Sequence, residues 1–287
     1  MGMVKKARGN RNAHPHVAPS SRSPGPGIGN VESVAGNRRK MYGQNFFRSA
    51  ASAAAFTDQL EFSIGDGHLV EIGPGSGRIT AALARRGFPV TAVEIDAHWQ
   101  EVLAAKNLPG VEVVLSSFLD WEPPARPVAF IGNLPFGSGT QILRRCLEFG
   151  PEGMLEAVFL MQREYVWKRV GRYGGNLFNA QWWPWYSFHE GLEFPRQAFE
   201  PMPNTHTATL FVIPRREGIL PWRERDGYQD FVAAVYNTGH ADVATALQGV
   251  SRDARSHLRR AGVPGDFRVK ELHVYEWVEM YLSRPQH

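Results

Sequence analysis

The sequence predicts an α/β fold: a doubly wound, mostly parallel sheet followed by a small all-helical domain. Two observations predict it. Between residues 68 and 161, short apolar runs alternate with helical segments, an order typical of parallel sheets that bind ligands at the carboxyl ends of their strands. Beyond Arg215, apolar residues keep a helical spacing with no strand between them. We therefore expect a sheet domain over residues 42–215 and a helical domain over 216–287.

The first 41 residues are predicted to form a disordered basic tail. They are rich in Gly, Pro, Ser and Asn, and such a segment cannot bury enough apolar surface to offset its ordering entropy. Eight basic residues and one acid, Glu32, give the tail a charge of +7, whereas 24 basic and 27 acidic residues leave the remainder at −3. From the tail alone, polyanion binding and a merely solubilising role stay equally open.

The predicted elements follow in order along the chain. An alanine-rich helix is expected over residues 49–61. The apolar runs predict five strands, at 68–72, 89–95, 111–115, 128–131 and 157–161. Helices are expected between them at 78–86, 97–106 and 140–148, and later at 228–237, 254–261 and 274–282. Two further runs, near 188–194 and 207–213, predict an antiparallel addition to the sheet.

Several classes of protein are excluded by composition. A single cysteine, Cys146, leaves no internal disulfide framework and no multi-cysteine zinc site. The ten histidines lack metal-ligand spacing, so we predict no metal. No stretch is apolar enough to span a bilayer, and the tail has no secretory signal. We expect a cytoplasmic monomer with no membrane partner.

A glycine loop, Gly73-Pro74-Gly75-Ser76-Gly77, lies between the first predicted strand of the sheet and the following helix. Glycines there let the backbone approach a ligand closely. Glu94 ends the next strand, 17 residues after Gly77, where a carboxylate can accept ribose hydroxyls. This spacing does not separate a nicotinamide cofactor from S-adenosylmethionine, although the acidic Glu71 just before the loop favours the latter.

The turn after the fourth strand, Asn133-Leu134-Pro135-Phe136, carries the second set of candidate residues. Methylation of an exocyclic amine needs carbonyl oxygens that accept the amine hydrogens and direct its lone pair. The Asn133 side chain and the Leu134 carbonyl are suited to this, Pro135 fixes the turn, and Phe136 offers a face on which an extruded base can stack. Taken alone, the turn could also simply cap a strand. Its position beside the glycine loop favours the catalytic role.

Together these segments resemble the rRNA adenine N6-methyltransferases, which have a class I methyltransferase, Rossmann-like fold. The segments that carry the resemblance run in the family's order from about Tyr42 to Arg215. They are Gln44-Asn45-Phe46, Glu71–Gly77, Glu94, Asn133–Phe136, Leu160-Met-Gln-Arg-Glu164, Tyr173-Gly174 and Phe199-Glu-Pro-Met-Pro203. The resemblance implies that Asn133–Phe136 holds the target adenine. It also implies an S-adenosylmethionine site formed by Gln44, Asn45, Phe47, Gly73, Gly75, Glu94, Ser117 and Asn133.

The family has a branch that dimethylates small-subunit (16S) rRNA and an erythromycin-resistance (Erm) branch that modifies one adenine in the peptidyl-transferase loop of 23S rRNA. The basic tail and Trp183-Pro184 within an aromatic run resemble the Erm branch, particularly its actinobacterial members. The resemblance therefore implies macrolide resistance. The small-subunit activity and a noncatalytic rRNA-binding assembly factor remain the alternatives.

One position departs from the family pattern. An aspartate usually follows the third strand and accepts a hydrogen bond from the cofactor's adenine amine, whereas this chain aligns Ser117 there. A hydroxyl accepts that bond more weakly than a carboxylate, unless Asp120 reaches the site instead.

Candidate RNA contacts are basic or aromatic. Arg163, Lys168, Arg169 and Arg172 flank the expected cleft and are our candidates for phosphate contacts. Arg252, Arg255, Arg259 and Arg260 are expected to form a solvated face that could touch phosphates. The aromatic run Trp182, Trp183, Trp185, Tyr186 and Phe188 could stack bases, but it is at least as suited to packing the sheet.

Overall fold

The structure, a computed structural model, describes residues 45–62, 65, 67–123 and 127–284. The predicted tail and Gln44 lie outside the described residues. Eleven α-helices lie within the described part. They are α1 (Ala50–Thr57), α2 (Arg78–Arg85), α3 (Ala97–Ala104), α4 (Gly139–Leu147), α5 (Gly150–Gly153), α6 (Arg163–Arg169), α7 (Leu177–Trp182), α8 (Arg225–Asn237), α9 (Val243–Gln248), α10 (Ala254–Ala261) and α11 (Val274–Leu282).

Nine strands form two sheets in the same residues. They are β1 (Phe46–Phe47), β2 (His68–Ile72), β3 (Val90–Glu94), β4 (Val111–Leu115), β5 (Val128–Asn133), β6 (Met154–Gln162), β7 (Tyr186–Phe194), β8 (Phe199–Glu200) and β9 (Thr207–Pro214). The large sheet has the order β4-β3-β2-β5-β6-β9-β7, and β1 pairs with β8 in a separate two-stranded ribbon.

The predicted α/β class is confirmed. Strands β2 to β6 are parallel, and β9 and β7 add antiparallel strands at one edge. The predicted strands and the main helices are present within a few residues, although the first helix ends at Thr57 rather than at residue 61. The β1–β8 ribbon and the short helices α5, α6, α7 and α9 were not predicted, because they are too short to produce a periodic pattern.

The strand order creates a switch point at β2. The chain passes from β2 outward to β3 and β4, and it then returns to place β5 on the other side of β2. Loops that leave β2 and β5 therefore diverge, and they leave a crevice above the carboxyl ends of these strands.

Side-chain caps and glycines set where several helices begin and end. Ser49 accepts a hydrogen bond from the Ser52 amide at the start of α1, and Asp96 does the same for the His98 amide at α3. At the C-terminal end of α10, Gly262 takes the left-handed conformation that terminates a helix.

The C-terminal helices share an apolar core with the sheet. A single cluster of buried side chains runs from Val70 and Phe130 in the sheet through Trp185 to Tyr228 and Trp277 in the helices. The second cluster lies on the opposite face of the sheet and contains Phe56 and Leu83. A division of the chain at residue 215 thus stays a prediction, since buried contacts cross it. Of the described helices, none combines the length and apolar character that a bilayer crossing needs.

Candidate active site

A cavity of about 440 Å³ opens at the switch point, above the ends of β2, β3 and β5. Its volume lies within the range typical of small-molecule sites. The predicted cofactor-binding and catalytic residues that the structure describes all line it, whereas the predicted RNA-binding residues Arg163, Lys168, Arg169 and Arg172 do not. The lining residues are Asn45, Phe47, Gly73, Gly75, Glu94, Ser117, Asn133, Leu134, Pro135 and Phe136. Five separate segments of the sequence therefore meet around one space.

The glycine loop forms the floor of the cavity. Gly75 has a φ of 50°, a left-handed conformation that glycine adopts without steric cost. A Cβ at this position would overlap the ring of Phe46, so glycine is required here for space as well as for conformation. The loop can therefore pass close beneath a ligand.

Glu94 is fixed by backbone donors at the end of β3. Its Oε2 accepts a hydrogen bond from the Gly75 amide at 2.9 Å, and its Oε1 accepts bonds from the Ile95 and Asp96 amides. Burial raises the pKa of this carboxyl, and the three amide donors oppose that shift. Since a carboxylate offers about four lone-pair positions, one position remains for a hydroxyl of a ligand.

Apolar side chains and a hydroxyl form the wall beyond Glu94. Ile95 and Leu119 line the cavity although they remain 53% and 40% exposed, so they offer free apolar surface to a flat ring. Ser117 lies beside them on the cavity wall, whereas Asp120 is exposed and does not line the cavity. The hydroxyls of Ser116 and Ser117 line this part of the cavity, whereas the Asp120 carboxylate does not.

The turn after β5 is held from two sides. The Asn133 side-chain Nδ2 donates a hydrogen bond to the Asn45 carbonyl at 2.5 Å, and the Leu134 amide donates to the Leu160 carbonyl at 3.1 Å. Because Nδ2 is engaged, the side-chain oxygen of Asn133 is the end left to accept from a ligand. Phe136 follows on the cavity rim with 38% of its surface exposed, so its ring is accessible.

The β1 segment closes the cavity because β8 holds it in place. Phe46 and Phe47 pair with Glu200 and Phe199, and the rings of Phe47 and Phe199 stack with their centroids 4.9 Å apart. This pairing gives a structural reason for the Phe199–Pro203 motif. The Phe199–Pro203 motif anchors β1, the strand that directly follows Asn45, although the two segments lie far apart in the sequence.

Glu71 lies at the end of β2 and is buried, and neither of its carboxylate oxygens has a hydrogen-bond partner among the described residues. Burial raises the pKa of this carboxyl to about 8, with a smaller contribution from the charge of Glu94. Thr80 on α2 faces the carboxyl and opposes the shift. Glu71 does not line the cavity.

The predicted phosphate contacts lie in very different environments. The Arg163 guanidinium is within 3.6 Å of carboxylates of Glu164 and Glu193, and that of Arg172 is 2.5 Å from Glu190. Arg169 is only 8% exposed, and its guanidinium lies over the rings of Tyr165 and Phe178.

Lys168, by contrast, is exposed. Of these four candidates, it is the one best placed to reach an RNA phosphate. The sequence could not distinguish it, because several partners of the three arginines come from β7 and α7, later in the chain.

The aromatic run packs the core. Trp182, Trp185 and Tyr186 are at most 1% exposed, and Phe188 is 8% exposed. Trp185 donates a hydrogen bond to the Leu220 carbonyl at 2.7 Å and meets the Tyr228 ring edge to face. These four side chains are therefore not available to stack RNA bases.

Sequence reasoning missed some residues of the cavity, among them Phe46, Arg78, Ile95 and Leu119. For Ile95 a signal existed, since an apolar residue that directly follows the predicted ribose-binding acid, Glu94, is placed to lie against an adjoining ring. Arg78 is the first residue of α2 after the glycine loop. The sequence carries no such signal for Leu119, because the path of the loop after β4 brings this residue to the cavity.

A sheet of this order defines a class I methyltransferase when its switch point carries a glycine loop, a carboxylate on β3 and an Asn-Leu-Pro-Phe turn on β5. The chain belongs to the family described as ribosomal RNA adenine dimethylase, whose model matches residues 35–284. The predicted resemblance and the predicted class of enzyme, an rRNA (adenine-N6)-methyltransferase, are thereby confirmed.

The similar proteins include members from actinobacteria. The rRNA adenine N-6-methyltransferase of Corynebacterium diphtheriae is 34% identical over 232 residues, which cover 78% of this chain and 88% of the relative. The mycinamicin-resistance protein MyrB of Micromonospora griseorubida is 29% identical, over 86% of this chain and 78% of the relative. Among solved structures, the 23S rRNA methyltransferase ErmE is 28% identical with a TM-score of 0.72, covering 84% of this chain and 100% of ErmE.

Proposed function

We propose that the protein transfers a methyl group from S-adenosylmethionine to the N6 amine of a specific adenine in the peptidyl-transferase loop of 23S rRNA, and so confers macrolide resistance. The observation that carries the proposal is the hydrogen bond between Asn133 and Asn45, which joins the predicted base-binding turn to the wall of the cofactor-sized cavity. The similarity to ErmE and to a mycinamicin-resistance protein favours the 23S substrate.

The residues of the cavity fit S-adenosylmethionine. Glu94 retains one acceptor position for a ribose hydroxyl, while Ile95 and Leu119 expose apolar surface for an adenine ring, with Ser117 beside them. The glycine loop would lie beneath the remainder of the molecule. When bound, this cofactor supplies an electrophilic methyl group on a sulfonium.

The chain's own residues orient the amine. The Asn133 side-chain oxygen and the Leu134 carbonyl would accept the two amine hydrogens, which directs the nitrogen lone pair toward the methyl group. Phe136 would stack on the extruded base. The N–C bond forms as the C–S bond breaks, S-adenosylhomocysteine leaves, and the surplus amine proton passes to water. This reaction needs no strong general base from the protein.

Labelled methyl transfer onto unmodified 23S and 16S rRNA, followed by primer extension, tests the proposal. We expect a product at one adenine of the macrolide-binding loop that is absent with Asn133→Ala. A product in 16S rRNA would instead make the protein a small-subunit methyltransferase. Cofactor binding without transfer to either RNA would favour a noncatalytic assembly factor.

The basic tail is proposed to increase the affinity for rRNA through counterion release, because it carries +7 in a chain whose remainder is −3. Deletion of residues 1–41 should weaken rRNA binding and flatten its salt dependence. An unchanged affinity and slope would show that the tail only solubilises the protein.

A further inference from the structure

A second cavity of about 460 Å³ adjoins the cofactor-sized cavity, between α2 and α3. The two cavities share Ser76 and Arg78 in their linings. We call the second one the α2–α3 groove. Its lining consists of Ala50, Ser76, Gly77, Arg78, Ala81, Arg85, Trp99, Val102 and Lys106.

The α2–α3 groove carries three positive charges and no acidic side chain in its lining. Arg78 and Arg85 lie seven residues apart, which places them on the same face of α2 about 10 Å apart along its axis. Lys106 lies beyond the end of α3, and its Nζ donates one hydrogen bond to the Ser76 carbonyl, at 2.5 Å. Three positive charges around one concave surface repel one another, and a bound anion would offset this repulsion.

These cations differ from the arginines nearby. Among the described residues, Arg78, Arg85 and Lys106 form no ion pair and are exposed, whereas the adjacent Arg86 lies 3.7 Å from Asp58 and stacks on Phe88. The three groove cations are thus left for a partner outside the chain, although the chain beyond the tail is net acidic.

A pair of rings connects the groove to the catalytic turn. Trp99 lines the groove and Phe46 lines the cofactor-sized cavity, and the two rings meet edge to face with their centroids 5.0 Å apart. Phe46 directly follows Asn45, which holds Asn133. An extended ligand bound in the α2–α3 groove would therefore pass close to the segment that positions the target base.

We propose that the α2–α3 groove binds phosphates of the rRNA strand that carries the target adenine. This inference rests on the proposed function, since it names a second contact for the same substrate. A row of cations that extends over two helical turns fits a chain of phosphodiesters better than a single small anion. Binding there would fix the strand while the adenine enters the cavity at Asn133–Phe136, and it would be independent of base sequence.

The test is a double variant, Arg85→Gln with Lys106→Gln, because neither residue lines the cofactor-sized cavity. Binding to a 23S rRNA fragment is measured over a series of salt concentrations, and binding to S-adenosylhomocysteine is measured by calorimetry. If each residue contacts one phosphate, the slope of log K against log salt should fall by about 1.4 to 1.8. The affinity for S-adenosylhomocysteine should stay unchanged.

The matched control is Arg216→Gln with Lys270→Gln, an exposed arginine and an exposed lysine that line neither cavity and whose loss changes the net charge equally. Its slope should change much less. Equal slopes in both variants, an unchanged slope in the groove variant, or a loss confined to S-adenosylhomocysteine binding would overturn the groove proposal. If the wild type neither bound nor methylated rRNA, the groove proposal and the proposed function would both fail. Methylation by the wild type with no effect of the groove variant would remove the groove proposal alone.

Discussion

The side-chain nitrogen of Asn133 donates a hydrogen bond to the backbone carbonyl of Asn45, 88 residues earlier in the chain. This bond fixes the amide orientation, so the side-chain oxygen is the acceptor available to a substrate amine. It also ties the turn after β5 to the β1 segment, which forms the opposite wall of the cavity. One side chain thus couples the proposed base-binding turn to the shape of the cofactor-sized site.

Asn133→Asp should reduce the single-turnover rate of methyl transfer by about 100-fold. This is the effect expected when a reacting group is misplaced by about 1 Å. The carboxylate has no hydrogen to donate, and it repels the Asn45 carbonyl. Rapid-quench transfer of labelled methyl groups measures the rate. Asn237→Asp, an exposed change at the end of α8, serves as the control and should leave the rate unaltered. A normal rate in Asn133→Asp would contradict this role of the Asn133–Asn45 bond.

Phe136→Ala should lower kcat/KM for rRNA by roughly 5- to 150-fold, since stacking of a base on an aromatic ring is worth about 1–3 kcal/mol. The ring is 38% exposed, so its removal leaves no large void in the core. Steady-state transfer measures the loss, and calorimetry should find S-adenosylhomocysteine binding intact. Phe136→Tyr keeps the ring and should retain most activity. If the tyrosine variant lost as much as the alanine variant, stacking would not be the cause.

Ser117→Asp should tighten S-adenosylhomocysteine binding about fivefold, because a charged acceptor forms a hydrogen bond about 1 kcal/mol stronger than a neutral one. Ser117 lines the cavity, and the neighbouring Asp120 does not supply the charge. Isothermal titration calorimetry measures the dissociation constant. Asn204→Asp places the same charge at an exposed residue outside the cavity and should bring no such gain. An unchanged or higher dissociation constant for Ser117→Asp would rule out this contact.

The stability of the protein should fall as the pH rises from 6 to 8, and part of that fall should disappear in Glu71→Gln. Burial raises the pKa of Glu71 from 4.5 to about 8, so between these values the folded state keeps a proton that the unfolded state has released. The free energy of unfolding then decreases with pH by at most about 1.4 kcal/mol per unit for this group. Above pH 8 the decrease should level off.

Urea unfolding of the wild type and Glu71→Gln at pH 6, 7 and 8 measures this difference. Because other titrating groups are common to both proteins, the comparison isolates Glu71. Parallel pH profiles for the two proteins would mean that Glu71 is already ionised in the folded state.

Trp185→Ala should destabilise the protein by about 3–5 kcal/mol, the usual cost of removing a buried aromatic side chain. Trp185 is fully buried between the sheet and the C-terminal helices, where it contacts Tyr228. The loss should appear in urea unfolding as one transition, coincident by circular dichroism and fluorescence. Tyr275→Ala, at a residue 66% exposed, should change stability by less than about 0.5 kcal/mol. Two separate transitions would instead indicate an independent helical domain.

The amino-acid sequence alone was enough to predict the parallel sheet, the glycine loop, Glu94 and the Asn133–Phe136 turn. Each of these depends on a short stretch of chain: an apolar run, a backbone that only glycine adopts easily, or a proline-fixed turn directly after a strand. Since parallel strands end at the same edge of a sheet, the order of these stretches also predicted that they would meet.

Which charged and aromatic side chains are free depends on how the elements pack in three dimensions. Arg172 is paired with Glu190, Arg169 is buried, and Trp185 is in the core, whereas Arg85 and Lys106 remain exposed beside the cavity. The partners of these side chains mostly come from other elements, and a sequence pattern does not record how closely such elements approach. The physical reason is that burial and pairing are set by the packing of the whole chain, while turns and strands are set largely by their own residues.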